Sequence, residues 1–176
     1  MDRLELVIPN RTHEAAAREY ILEHIEQGET VLHGAAGLER DPSYVEWLER
    51  LKVNSDEKTV LPGYVAATTF FAIRPGDGRI VGTIQIRHRL NEFLRSYGGH
   101  IGYGVRPSER NKGYATQMLT LALAYARQIG LTKVMLACNR DNEASRRTIL
   151  KCNGVLEREF LHTDGKMVQV YWITIG

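Results

Sequence analysis

The chain has 176 residues, 43% hydrophobic and 25% charged, which suits one compact domain over residues 1–176 and leaves little length for a second. Its 23 basic and 21 acidic residues give a formal charge of +2, a balance that argues against a dedicated nucleic-acid binder. A ligand that needs only a local cluster of donors stays compatible with it. Apolar runs fall short of the ~20 residues of a membrane span, and the charged start Met1-Asp2-Arg3-Leu4-Glu5 lacks a signal-peptide core. Cys138 and Cys152 have no metal-type spacing and read as buried free thiols. The expectation is a cytoplasmic protein with no metal and no membrane or nucleic-acid partner.

Leu4 to Ile8 reads as a strand stopped by Pro9-Asn10. Thr12 caps a helix to about Gln27, and Gly28 closes it. A second helix starts from Asp41-Pro42 and carries Tyr44, Trp47, Leu48 and Leu51 at helical spacing. Residues 29–40 and 53–63 read as loops. Tyr64–Arg74 and Arg79–Leu90 form a hairpin around Pro75-Gly76-Asp77-Gly78, the second strand alternating Ile84, Ile86 and His88 against Thr83, Gln85 and Arg87. A short helix over Asn91–Tyr97 leads to a strand at His100–Val105. A long helix then runs from about Gly113 to Gln128, with Tyr114, Met118, Leu121, Ala122 and Tyr125 on one stripe. Val134–Cys138 is wholly apolar, as in a strand buried on both faces. Asp141 or Asn142 caps a helix to about Asn153, and Val155–His162 with Met167–Ile175 make a last hairpin. The fold class that follows is α/β: one domain with a mixed, mostly antiparallel twisted sheet of about seven strands flanked by about four helices.

The segment Ile101 to Ala115 combines a strand, a sharp turn and the first turn of the long helix. A helix start presents free N–H groups and the positive end of the macrodipole, and so attracts anions. Gly113 and Ala115 let a diphosphate approach the backbone, while Arg110 and Lys112 add charge. The alternative, an ordinary strand-to-helix connection, stands about even on local pattern. Spacing excludes a Walker loop, a dinucleotide fingerprint, H-E-x-x-H and G-x-S-x-G.

Arg110 to Ala115 resembles the R/Q-x-x-G-x-G/A motif of the GNAT superfamily of N-acetyltransferases, in the same place between the fourth strand and the third long helix. Asp141-Asn142-Glu143-Ala144-Ser145 resembles that superfamily's second cofactor segment, and Gly98 to Tyr103 with Arg106 to Arg110 is similar to a bacterial, uncharacterised subgroup. The resemblance implies an acetyl-CoA-dependent N-acetyltransferase acting on an amine of a small molecule or peptide. Tyr103 and Val105 would pair with the pantetheine arm, and Val105 N–H would serve as oxyanion donor. Arg110, Asn111, Lys112, Gly113, Tyr114, Ala115 and Thr116 would hold the pyrophosphate, and Asn142 and Ser145 would contact the cofactor. Gly102 and Gly104 suit a strand that splays to admit a ligand.

Two positions depart from the pattern. The tyrosine that many members use as general acid falls on Leu150, and the glutamate base of others falls on Gly99. His100, Glu92, His88 and Tyr103 remain as candidates, with His100 first because histidine is the commonest base, and ordered water is an equal possibility. Acceptor-side candidates are Tyr44, Trp47, Phe93 and Tyr97 as an apolar wall, with Glu46 and Glu92 for an ammonium. A non-catalytic CoA-binding sensor or scaffold is the alternative class, and a homodimer stays open.

Overall fold

The computed structural model describes residues 2–176. Seven strands and four α-helices follow one another as β1 (Glu5–Val7), α1 (Glu14–Glu26), α2 (Tyr44–Val53), β2 (Ala67–Arg74), β3 (Arg79–Arg87), β4 (Ile101–Val105), α3 (Tyr114–Gln128), β5 (Lys133–Asn139), α4 (Glu143–Lys151), β6 (Val155–Leu161) and β7 (Met167–Thr174). A π-helical turn, Leu94–Gly98, precedes β4. The sheet is divided. β1-β2-β3-β4 form one sheet and β5-β7-β6 another, and every strand pairing is antiparallel. The expected single mixed sheet is thus interrupted where β4 and β5 would have met as neighbours.

Of three helix starts, two differ from the sequence expectation and one matches it. Asn10 rather than Thr12 begins the first helical segment: its side chain accepts from Thr12 N–H while the ring of His13 accepts from Asn10 N–H, a capping box. Ser43 rather than Asp41 caps α2, accepting from Glu46 N–H at 3.0 Å, and Asp41 instead pairs with Arg50. Asn142 caps α4 as expected.

Two apolar clusters hold the layers together. On one face of the sheets, Met118, Leu119, Ala122 and Ala126 of α3 pack on Val81, Ile84 and Ile86 of β3 and on Val134 and Leu136 of β5. On the other face, Ala17 and Tyr20 of α1 and Tyr44 and Trp47 of α2 pack on Phe71 and Ile80. Trp47 is fully buried, stacks on Phe71 at 5.6 Å and donates Nε1–H to Ala35 C=O, while Tyr44 O–H donates to Asn10 C=O. Their helical spacing therefore serves the core, and the expected apolar wall for an acceptor loses both of its α2 members.

Candidate active site

The two sheets are clasped at one point. His100 N–H donates to Met135 C=O at 2.8 Å, and Met135 N–H donates back to Nδ1 of the buried His100 ring at 2.9 Å. Beside it Gly99 sits at φ +68°, and a Cβ there would lie 2.5 Å from Met135 O. Arg87 tightens the same corner by donating to the carbonyls of Gly98 and Gly99. Beyond this clasp β4 and β5 have no ladder between them, which leaves a cleft bordered by β4.

Hydrogen-bond phase decides what β4 offers to that cleft. Arg106 N–H bonds Val81 C=O, and Arg87 N–H bonds His100 C=O. In an antiparallel pair such bonds recur at every second residue, so positions 100, 102, 104 and 106 are the ones turned towards β3. The N–H and C=O groups of Ile101, Tyr103 and Val105 consequently point to the free edge, β4 being the last strand of its sheet. An extended ligand arm can add there as an extra strand. Arg110 Nε–H already caps Val105 C=O at 3.1 Å, which leaves Val105 N–H facing the cleft.

That edge runs into the start of α3. Asn111 at φ +61° and Gly113 at φ +82° curl the backbone into a concave turn of the kind that gathers N–H groups around an anion. Gly113 makes no side-chain cap, and the first turn of α3 carries no acidic residue, whereas α2 and α4 are both capped by side chains. The side chains expected to supply charge are already paired. Arg110 forms two bonds to Glu29, at 2.6 and 2.8 Å, and Lys112 reaches the buried Glu109 at 3.0 Å. The Arg110 hydrogen bonds hold the Glu29 carboxyl down at about 2, against an opposing effect of burial. Attraction for a diphosphate therefore rests on the backbone and the helix dipole more than on these two side chains. Arg74 also bonds Glu109, and Glu23 accepts from Ser108 N–H, so the turn rests on a buried ionic network.

Across the cleft, Tyr103 projects to α4, where its hydroxyl lies 2.9 Å from that of Ser145. Burial pushes the Tyr103 phenol up to about 12, although the Ser145 hydrogen bond works against this, so it stays protonated at neutral pH. Asn142 Oδ1 accepts from Ser145 N–H at 3.1 Å, the bond of a helix cap. Its exposed amide keeps two N–H donors for a ligand. Asn142→Asp preserves the cap, so stability should hold within about 0.5 kcal/mol. The KM for acetyl-CoA should rise about tenfold, because a donor becomes a negative acceptor; a normal KM would leave Asn142 as a cap alone.

The remaining candidates are scattered. Leu150 is exposed on α4. Glu92 and Glu46 are exposed and Phe93 is 64% exposed, while Tyr97 stacks on His162 at 4.5 Å. His88 Nε2 is occupied by Thr68. His100 requires a correction as a general base. Its Nδ1 lone pair is held by Met135 N–H, and burial, with Arg87 and Arg95 nearby, lowers its pKa to about 4. The same crowding explains the missing glutamate: position 99 has neither the φ nor the space for a side chain. Gly104 also has a role beyond the splay of a strand. Gly104 lies under His33, where a Cβ would come 2.8 Å from His33 O, and Gly34 fits against Gly102 O, Thr83 O and Tyr103 Cα with no space for a Cβ. The loop after α1 therefore lies directly on β4. No cluster of three or more possible metal ligands occurs among the described residues, and no helix among them is long and apolar enough to cross a membrane.

A family model described as acetyltransferase (GNAT) family matches residues 38–154, two thirds of the chain. The chain belongs to the GNAT acetyltransferase family. Solved structures agree in fold over almost the whole length. A microcin C7 self-immunity acetyltransferase, solved with acetyl-CoA and AMP, is 17% identical with a TM-score of 0.71, covering 99% of this chain and 94% of that one. A ribosomal-protein-S5-alanine acetyltransferase from Vibrio fischeri is 16% identical with a TM-score of 0.70, covering 99% and 94%. A spermidine N-acetyltransferase from Vibrio cholerae, described as dodecameric, is 18% identical with a TM-score of 0.65, covering 98% and 94%. No curated protein sequence matches the chain. This GNAT domain places its motif residues Arg110 to Ala115 at the uncapped start of α3, at the mouth of the β4–β5 cleft.

Proposed function

We propose that the protein transfers an acetyl group directly from the thioester of acetyl-CoA to an amine of a small molecule or peptide. The observation that carries this reading is the free edge of β4 leading, through Val105, into the uncapped first turn of α3. Backbone N–H groups of residues 111–116 receive the pyrophosphate, and Tyr103 and Val105 align the pantetheine arm. Val105 N–H then lies where negative charge develops on the thioester oxygen. A thiol with a pKa near ~8.5 departs with modest help, and the protonated Tyr103 hydroxyl, steadied by Ser145, supplies a hydrogen bond to the departing sulfur. Orientation of the two substrates in the cleft contributes a large share of the rate. A cytoplasmic setting, where acetyl-CoA is available, belongs to the same reading. Absence of a tyrosine at Leu150 and a carboxylate at Gly99 motivates the second reading, a CoA-binding sensor or scaffold.

Thiol release from acetyl-CoA, measured with spermidine and with alanine- and serine-initiated peptides, separates the two. Amine-dependent release together with CoA-induced thermal stabilisation is the expected result. Stabilisation without release on any amine would establish the binding module instead.

A further inference from the structure

We infer that His33 is the general base that takes the proton of the acceptor amine, an assignment that rests on the acetyl-transfer reading above. Its backbone is fixed on β4. Thr83 Oγ1–H donates to His33 C=O at 2.8 Å, and the next residue, Gly34, sits at φ +73° with its backbone against Gly102, Thr83 and Tyr103. A Cβ built on Gly104 would lie 3.5 Å from the Cβ of His33, so the imidazole starts directly over the residue before Val105. Its ring is exposed, and no hydrogen bond or ion pair among the described residues engages it. A firmly placed backbone with a free ring contrasts with His100, whose position is equally fixed but whose lone pair is taken.

The face is right as well. Tyr103 and Val105 turn their side chains to the α3–α4 layer, while Gly102 and Gly104 face the α1–α2 layer and carry the loop with His33. A cofactor arm lying along the free edge of β4 leaves this second face for the amine. Gly104 then has a functional sense: without a Cβ it lets the loop backbone come close enough to bring an imidazole to the strand. Other titratable or charged groups on the elements packed against His33 are committed elsewhere. Tyr20 bonds Thr83 and Gly104 O, Arg87 bonds Gly98 and Gly99, Tyr103 bonds Ser145, and Glu29 binds Arg110 and His24.

The proton balance is simple. The ring nitrogen of His33 takes a proton from the ammonium, and the freed amine attacks the thioester carbon, forming C–N as C–S breaks. A second proton, lost from the amine nitrogen as it becomes the amide, neutralises the departing thiolate. Imidazolium then returns its proton to water, so the net products are the amide, CoA and one proton.

The test uses full-length His33→Gln, which keeps the Cβ and the backbone contacts, on whichever of spermidine and the two peptides the wild type acetylates fastest. We expect kcat/KM to fall at least thirtyfold, with CoA affinity and melting temperature unchanged. The acid limb of the pH–rate profile should vanish, and added imidazole should restore part of the rate in His33→Ala. A His33→Gln enzyme with wild-type kcat/KM and the same acid limb would overturn the assignment and point to water as the base. Failure of the wild type itself to release thiol with any amine would instead remove the acetyl-transfer reading, so the two failures are distinguishable.

Discussion

Gly113→Glu is expected to weaken CoA binding at least a hundredfold, close to 3 kcal/mol at about 1.4 kcal/mol per factor of ten. Three effects act together. Gly113 lies at φ +82°, where a side chain costs about 1–2 kcal/mol. It is the N-cap of α3, so any side chain there stands among the N–H groups that a diphosphate must reach. A carboxylate in that place also takes the helix dipole for itself. Gly113→Ala separates the parts: it should lose about 1 kcal/mol of stability and only a few-fold in affinity. Thermal shift and calorimetric titration with CoA read both quantities. A Gly113→Glu protein that binds CoA at wild-type affinity would remove the α3 start from the site.

His100→Ala is expected to act on the fold more than on the chemistry, lowering the free energy of unfolding by about 3 kcal/mol. The substitution strands the Met135 N–H without a partner in a buried place, which costs about 1–3 kcal/mol, and it leaves a cavity besides. It also unfastens the clasp that sets β4 against β5, so turnover falls only as the cleft loosens. A pH signature accompanies this. Burial, then the charges of Arg87 and Arg95, depress the folded-state pKa of His100 to about 4, below the unfolded value of 6.5. Between those values the unfolded chain binds more protons, so the His100 contribution is whole above about pH 6.5 and is lost as pH falls towards 4. Chemical denaturation from pH 7.5 to 4 should show this decline in the wild type and less of it in His100→Ala. Equal slopes, or a variant as stable as the wild type with its acid limb of activity gone, would restore His100 as a catalytic base.

Local patterns carried most of the fold. The amphipathic stripe of α3, the apolar run of β5 and the hairpin turns depend on neighbours in sequence, and each element stands within a few residues of its expected place. The motif at Arg110 to Ala115 was legible for the same reason, since an anion seat at a helix start is built from consecutive residues. What stayed hidden depends on distant contacts. His100 is engaged by Met135 on another strand, and Arg110 and Lys112 are claimed by Glu29 and Glu109, none of which spacing reveals. Tyr44 and Trp47 sit at a helical spacing that suits a core stripe better than a binding wall, and α2 folds onto Phe71. His33 lay in a stretch without hydrophobic period. The one available signal was the pair Gly102 and Gly104 inside a strand, which marks a place where another backbone comes close.

Backbone amide spectra of the 15N-labelled protein, titrated with CoA and separately with ATP, test the central claim most directly. CoA should shift the amides of Tyr103, Val105 and residues 111–116 together. ATP lacks the pantetheine arm and should leave Tyr103 and Val105 in place. A hollow of about 620 Å³ around the start of β5, lined by Arg95, His100, Lys133 and Trp172 among others, offers the natural control. CoA shifts confined to that hollow, with the β4 edge and the start of α3 silent, would contradict the account.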